Sequence, residues 1–319
     1  MKVVVTGGAG YIGSNVAALL IESGHEVLIL DNFSEGDRLA VPPEARLVEG
    51  NVADFAELIS KEEGIDAVLH FAAFIAAGES VTKPEKYWQN NLVGSLKLLE
   101  AMRTIGIKKL IFSSTAAVYG NPNEVPIKET AAKNPTNPYG MTKLAVDMAI
   151  SSECVAHGLA ATSLRYFNVA GAYKNYGERH RIETHIIPLA LKASIDEREF
   201  TVFGEDYSTP DGTCIRDYIH VRDLARAHLL ALQKLEEGRH TIYNLGNGNG
   251  FSNRDVIKVV EQVTGKQLMV KTGARREGDP AVLVASSSLA KDELGWEPEK
   301  PELKTMVEDA WRFYQATQQ

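Results

Sequence analysis

Cysteine is nearly absent from this chain. Cys154 and Cys214 are the only two among 319 residues, too few for a disulfide framework or a cysteine-ligated zinc site. Long apolar runs are missing as well: nothing approaches the ~20 residues that cross a bilayer. Met1-Lys2 is followed by only three valines before Thr6-Gly7, which suits a buried strand and is too short for a signal peptide. No run of lysines or arginines occurs and the net charge is −8, which argues against nucleic acid or an acidic membrane surface as partner. Internal repeats and low-complexity segments are absent. With 44% hydrophobic and 24% charged residues, the chain has the composition of an ordinary soluble protein, and a cytoplasmic location is the expectation. Its length suits two domains, or one large α/β body with a smaller lobe.

What is present in the first half is a regular alternation. Short β-branched runs at 2–6, 26–30, 67–71, 110–113 and 161–166 read as strands. Helical patterns at 12–23, 55–62, 87–105 and 139–157 lie between them. Such alternation implies a doubly wound parallel sheet, Rossmann-like, covered on both faces, with a ligand crevice at the strands' carboxyl ends. From about Ala170 the rhythm breaks, and Pro188, Pro210-Asp-Gly212 and Gly246-Asn-Gly-Asn-Gly250 punctuate shorter elements. Helices are expected at 186–195, 221–235, 253–264 and 303–314. Residues 1–168 are expected to form the nucleotide-binding domain and 169–319 a smaller substrate-binding lobe, with a segment near 217–245 returning to the first.

Gly7-Gly8-Ala9-Gly10-Tyr11-Ile12-Gly13 sits between a strand and a helix, the context in which a glycine motif binds a dinucleotide. Gly7 permits the tight turn, Gly10 lets a pyrophosphate approach, and Gly13 lets helix pack on strand. The helix that begins near Tyr11 and Ile12 offers free N–H groups to phosphate oxygens. Asp31, at the end of the second strand, is placed to accept both ribose hydroxyls and to repel a 2′-phosphate, which favours NAD over NADP. Asn32, Phe33, Ser34 and Gly36 are expected around the adenosine, with Asn51 and Val52 beside the adenine.

Tyr139 and Lys143 stand four residues apart on a helical pattern and therefore share a face. A phenol with an ordinary pKa near ~10 is a poor base at neutral pH, and a cation beside it lowers that value. The spacing alone is common on surfaces. The upstream glycine loop gives it meaning.

With these residues the chain resembles the extended short-chain dehydrogenase/reductase family, and within it the branch that inverts C4 of nucleotide sugars. The resemblance is carried by the glycine loop, His70-Phe-Ala72, Asn90-Asn91, Phe112-Ser-Ser-Thr115, Tyr139-x-x-x-Lys143 and Arg165-Tyr-Phe-Asn168. In the second half it is carried by Phe203-Gly204, Thr209-Pro-Asp-Gly-Thr213, Arg216-Asp-Tyr-Ile-His220, Tyr243-Asn-Leu-Gly246 and Arg275-Arg-Glu-Gly-Asp279. It implies Tyr139 as the acid/base, Lys143 as its electrostatic partner and ribose anchor, and Thr115 as the hydroxyl that shares the O4 proton. It implies dinucleotide contacts from Phe71, Ala72, Ala73, Ile75, Asn91, Ser113 and Phe167. A UDP-hexose would be held by Asn168, His185, Ile186, Thr201, Val202, Phe203, Arg216 and the run Arg276–Asp279. The resemblance also implies a homodimer packed through the helices at 87–105 and 139–157.

Three departures stand out. Ile75 replaces a lysine common near the cofactor ribose. Asn51 replaces an aspartate beside adenine. Leu283 is intermediate in bulk where size is associated with excluding a 2-N-acetyl group, which leaves UDP-glucose and UDP-N-acetylglucosamine both open as substrates. The nearest rival chemistry, 4,6-dehydration, needs an Asp-Glu pair directly after the threonine, and Ala116-Ala117 stand there instead. A sugar-acid decarboxylase would want a cation that is not identifiable. A non-catalytic NAD-binding protein could have lost the tyrosine and lysine that this chain keeps, and Cys154 lies in a helical pattern suited to packing.

Overall fold

The computed structural model describes residues 1–180, 182–276 and 279–317. Strand β1 (Lys2–Thr6) alternates its valines between the two faces of the sheet. Val3 and Val5 join one buried cluster and Val4 the other, as a two-residue side-chain period requires. Around it lie β2 (Glu26–Asp31), β3 (Arg46–Glu49), β4 (Ala67–His70), β5 (Lys109–Thr115) and β6 (Ala160–Tyr166). Three short strands follow, β7 (Asn168–Ala170), β8 (Glu199–Phe203) and β9 (Ile215–His220), and then β10 (His240–Leu245). The seven-stranded sheet has the order β10-β6-β5-β4-β1-β2-β3, and every pairing in it is parallel. The doubly wound fold expected from the sequence is therefore present. Chain direction across the sheet reverses between β1 and β4, which opens the crevice at their carboxyl ends.

Helices Tyr11–Glu22 and Val221–Gln233 cover one face, their residues Val16, Leu20, Leu224 and Ala227 sharing a core with Val3, Ile29 and Ile111. Helices Gly94–Ile105 and Pro138–His157 cover the other through Leu98, Met102, Val146 and Ile150. The smaller lobe has its own core, in which Ile187, Leu191, Phe200, Tyr218, Val256 and Met306 meet. The chain then comes back: β10 pairs with β6 at the edge of the large sheet. Asp217–His220, the end of β9, pairs between β7 and β11 (Gly250–Ser252), with Tyr218 in the lobe core and Ile219 in the core of the large sheet.

Two helices expected as continuous are interrupted. The stretch 87–105 is a short α-turn at Pro84–Tyr87, a π-helical segment at Trp88–Val93 and an α-helix only from Gly94. The widened turn carries Asn91, whose amide is drawn inward onto Phe74. The stretch 55–62 is helical at Phe55–Leu58 only. Ile59 turns extended and is fully buried, and a 3₁₀ turn follows at Lys61–Glu63. Burial of one isoleucine outweighs helix propensity there.

Helix Pro138–His157 is fixed from below. Asp147 Oδ2 accepts from Arg165 Nε at 3.1 Å, from Arg165 Nη2 at 2.7 Å and from Ser114 Oγ at 3.1 Å. The guanidinium continues to Tyr119 Oη at 3.0 Å. Both charged side chains are at most 4% exposed. Removing one member of such a pair strands the other. Asp147→Ala is expected to lower the unfolding free energy by about 3–5 kcal/mol, seen as a lower urea midpoint; an unchanged midpoint would contradict this.

Candidate active site

The site is built by close backbone approaches that only small residues allow. Gly7 has φ +70°, and a Cβ there would lie 2.6 Å from Ala72 N; one on Gly13 would lie 2.3 Å from Gly7 O. The turn after β1 is thus pressed against the loop after β4, and the helix start at Tyr11 is pressed against the turn. Gly10 is the N-cap and supplies no side-chain cap. The first N–H groups of the helix therefore have no intrahelical partner and are available to an anion.

A single cleft of about 1440 Å³ runs from this turn to the smaller lobe. Its near end is lined by Gly7, Gly10, Tyr11, Ile12, Gly13, Asp31, Asn32, Ser34, Gly36, Asn51 and Val52. Its middle is lined by Phe71, Ala72, Ala73, Ile75, Ser113, Thr115, Tyr139 and Phe167. Its far end is lined by Asn168, His185, Ile186, Thr201, Val202, Phe203, Arg216, Arg276, Asp279 and Leu283. Glu277 and Gly278, within the run Arg276–Asp279 anticipated above, lie outside the described residues.

Asp31 accepts backbone N–H groups from Ala9 at 2.9 Å and Phe33 at 2.8 Å. Burial pushes its pKa up, and those hydrogen bonds work against the rise. Asn32 Nδ2 donates to Asn51 Oδ1 at 2.9 Å, and Asn51 Nδ2 donates to Asp54 at 3.1 Å. The near end thus offers a fixed acceptor carboxylate and an ordered amide pair, groups that suit the ribose and adenine of NAD.

Three residues expected to touch the dinucleotide do not line the cleft. Phe33 has φ 56° and turns its ring under the guanidinium of Arg38, 4.1 Å away. Asn91 is 2% exposed. Its amide accepts Phe74 N–H and donates to Phe74 C=O, both at 2.9 Å, so it holds the loop 71–75 in place from behind. Lys143 is 3% exposed, and its Nζ donates to Ser113 C=O at 2.7 Å. Val202 also contributes little side chain: it is 3% exposed and packs in the lobe core.

Tyr139 is delivered by a well-defined helix start. Asn137 Oδ1 accepts Gly140 N–H at 2.9 Å and Pro138 occupies the first turn, a strong N-terminal signal. Ser80 Oγ accepts Tyr139 N–H at 3.2 Å. A Cβ on Gly140 would stand 2.7 Å from Ala117 C=O, so glycine brings this turn onto the loop that carries Thr115. Thr115 and Tyr139 both line the middle of the cleft, Thr115 favours the ionised form of the phenol, and its hydroxyl accepts Ala117 N–H at 3.1 Å.

The electrostatics differ from the simple expectation. Burial pushes the Tyr139 phenol up, with Thr115 only partly offsetting it. Burial also pulls Lys143 down to about 7, against the attraction of Asp147. Desolvation dominates both groups.

At the far end Arg216 Nη2 pairs with Asp279 Oδ1, so two expected substrate contacts hold each other. Arg276 lies 4.4 Å over the Phe203 ring and has no acidic partner among the described residues. A further group was missed by the reading of the sequence: Glu178 and His180, with Glu183 beside them, meet His185 at the cleft wall. The spacing Glu-x-His-x-x-Glu-x-His was the available signal.

Residues 3–246 match the NAD dependent epimerase/dehydratase family. A UDP-glucose 4-epimerase of Corynebacterium glutamicum is 56% identical over 317 residues, covering 99% of this chain and 96% of that protein. Solved relatives include a UDP-glucose 4-epimerase from Brucella ovis in complex with NAD, 43% identical with a TM-score of 0.92, covering 98% of each chain. Another is that from Bifidobacterium longum in complex with NAD⁺ and UDP, 36% identical with a TM-score of 0.93, covering 100% of this chain and 99% of that one.

Proposed function

Since this chain belongs to the NAD dependent epimerase/dehydratase family, we propose that it interconverts UDP-glucose and UDP-galactose through a 4-keto sugar, with NAD held throughout the cycle. The observation that carries this reading is the Thr115–Tyr139 hydroxyl pair midway along one cleft, between a dinucleotide end and a basic, aromatic end.

NAD⁺, when bound, supplies reversible hydride acceptance at C4. Gly7, Gly10, the Tyr11–Ile12 turn and Asp31 would hold its pyrophosphate and ribose. Tyr139 Oη takes the proton from the sugar O4 and later returns it. Thr115 Oγ bridges that transfer and keeps O4 facing the phenol. Lys143 holds the carbonyl of Ser113 and supplies a cation when protonated. Arg276 and Phe203 grip the uridine diphosphate, with Arg216 oriented by Asp279; a guanidinium suits a phosphate and an aromatic ring suits uracil. Nothing charged in this set is reserved for the hexose. A firm hold on UDP and a loose hold on the sugar let the ketone present either face.

Ala116 and Ala117 line the cleft directly after Thr115, which leaves a 4,6-dehydration without its acid and base. Leu283 stands in the wall at the hexose end and is the residue whose bulk would set tolerance for a 2-N-acetyl group.

We also assign a homodimer. Met141, Met148 and Val155 recur every seventh residue along helix Pro138–His157 and are 40%, 66% and 86% exposed, and Leu96 on helix Gly94–Ile105 is 43% exposed. An apolar stripe over two adjacent helices is what a symmetric helix-to-helix interface covers. No helix of the described residues is long and apolar enough to cross a membrane, and both cysteines are free thiols; these agree with the cytoplasm as its location.

The function is tested with purified protein, UDP-galactose and no added NAD. UDP-glucose is the expected product, and a 4-keto-6-deoxy product would overturn the reading. Tyr139→Phe is expected to retain the dinucleotide and lose roughly 10²–10⁴-fold in kcat; near-normal turnover would remove the assigned base. For the dimer, light scattering should show two chains for the wild type and one for Met148→Lys combined with Val155→Glu; a dimeric variant would refute this interface.

A further inference from the structure

Among the described residues one cluster, which includes the cleft residue His185, combines nitrogen and oxygen ligands on a single short segment. His180 Nδ1 lies 3.0 Å from Glu178 Oε1 and 3.7 Å from Glu183 Oε2. His185 Nδ1 lies 2.7 Å from Glu178 Oε1 and 2.9 Å from Glu183 Oε1. The four ligand atoms fall within 4.8 Å of one another. A tetrahedral zinc with bonds of about 2.0–2.1 Å sets its ligands roughly 3.3–3.4 Å apart, and the four distances above straddle that value.

Acceptors outnumber ring hydrogens here: His185 Nδ1 hydrogen-bonds Glu183 Oε1 at 2.9 Å, yet Glu178 Oε1 lies closer still, at 2.7 Å. Each Nδ1 carries at most one hydrogen, yet each faces two carboxylate oxygens. Glu178 Oε1 is buried with no hydrogen-bond partner among the described residues, although two ring nitrogens stand within 3.0 Å of it. A cation at the centre would satisfy all four atoms at once. The carboxylate of Glu183 is already oriented by the backbone. Its Oε1 accepts the N–H groups of Thr184 and His185, both at 2.7 Å, the kind of outer contact that fixes a metal ligand.

We propose that Glu178, His180, Glu183 and His185 form a site for one divalent transition metal ion of the zinc class. Two imidazoles with two carboxylates match that class. Four protein ligands leave no open position, so the ion is structural. It would tie 178–185 to the start of helix Ile186–Asp196, beside Tyr11, whose ring meets His180 edge-on. The site would thus brace the cleft wall that joins the glycine turn to the smaller lobe.

Protons are the competing occupants. Burial lowers the pKa of both histidines, and the two carboxylates more than reverse it, to about 9 for His180 and about 10 for His185. Two protons or one divalent ion would each answer the same negative charge, and measurement separates them.

The test uses the full chain, free of any polyhistidine tag, dialysed against a weak chelator and titrated with Zn²⁺ by calorimetry and with Co²⁺ by visible absorption. The expected result is about one ion per chain, with the intense d–d bands of tetrahedral Co²⁺. Glu178→Gln should weaken binding roughly 10–100-fold, and Glu178→Gln with His180→Gln should abolish it. Absence of uptake by the wild type, an octahedral Co²⁺ spectrum, or unchanged affinity in folded variants would each overturn the proposal. The wild-type titration decides the matter even if a variant fails to fold. It reads metal and not turnover, so its outcome is independent of the epimerase reading.

Discussion

Desolvation of one helical face governs this site. In water a phenol and a primary ammonium have nearly equal pKa values, about 10 and 10.4. With Lys143 buried and Tyr139 in the cleft wall, both are pushed away from their charged forms. Tyr139 is pushed up and Lys143 down to about 7. Left to themselves, the two groups favour a neutral phenol beside an uncharged or half-charged amine. More positive charge in the cleft lowers the phenol's pKa and populates the phenolate. On the function proposed above, activation would be coupled to loading: burial holds the Tyr139 phenol above its ordinary value, and the positive charge of the oxidised cofactor would lower it.

The framework serves that coupling. The reversal between β1 and β4 places the glycine turn and the loop 71–75 against each other, with Asn91 anchoring the loop through Phe74. On the opposite side, the Asp147–Arg165 pair pins the helix that carries Tyr139 and Lys143 to β5 and β6. Asp147 is also the group that resists the fall in the Lys143 pKa. One buried carboxylate thus contributes to both position and charge. The pairing between β10 and β6 extends the large sheet, so the chain leaves for the lobe and returns, and the two halves face each other across the cleft.

Much of this was legible in the sequence because local chemistry dictates it. A strand followed by closely spaced glycines and a helix has one economical geometry, and Asn137-Pro138 is a helix start that needs no tertiary help. Residues four apart on that helix share a face wherever the helix is placed. Illegible were the features decided by contacts distant in sequence. Nothing local shows that Asn91 spends its amide on Phe74, that Arg216 is taken by Asp279, or that Lys143 turns to the carbonyl of Ser113. The interrupted stretch 87–105 is of the same kind, since its helical pattern is real and tertiary contact bends it. The upward shift of the Tyr139 phenol is of the same kind. Spacing reports a neighbouring charge, whereas burial depends on the whole fold.

The most direct measurement is an ultraviolet difference titration of the tyrosinate at position 139, with Tyr139→Phe as the blank, on protein carrying oxidised and then reduced dinucleotide. With NAD⁺ the phenol is expected to ionise well below its ordinary value of about 10, and with NADH above it. The same pKa in both forms would contradict the claim that charge entering the cleft creates the base.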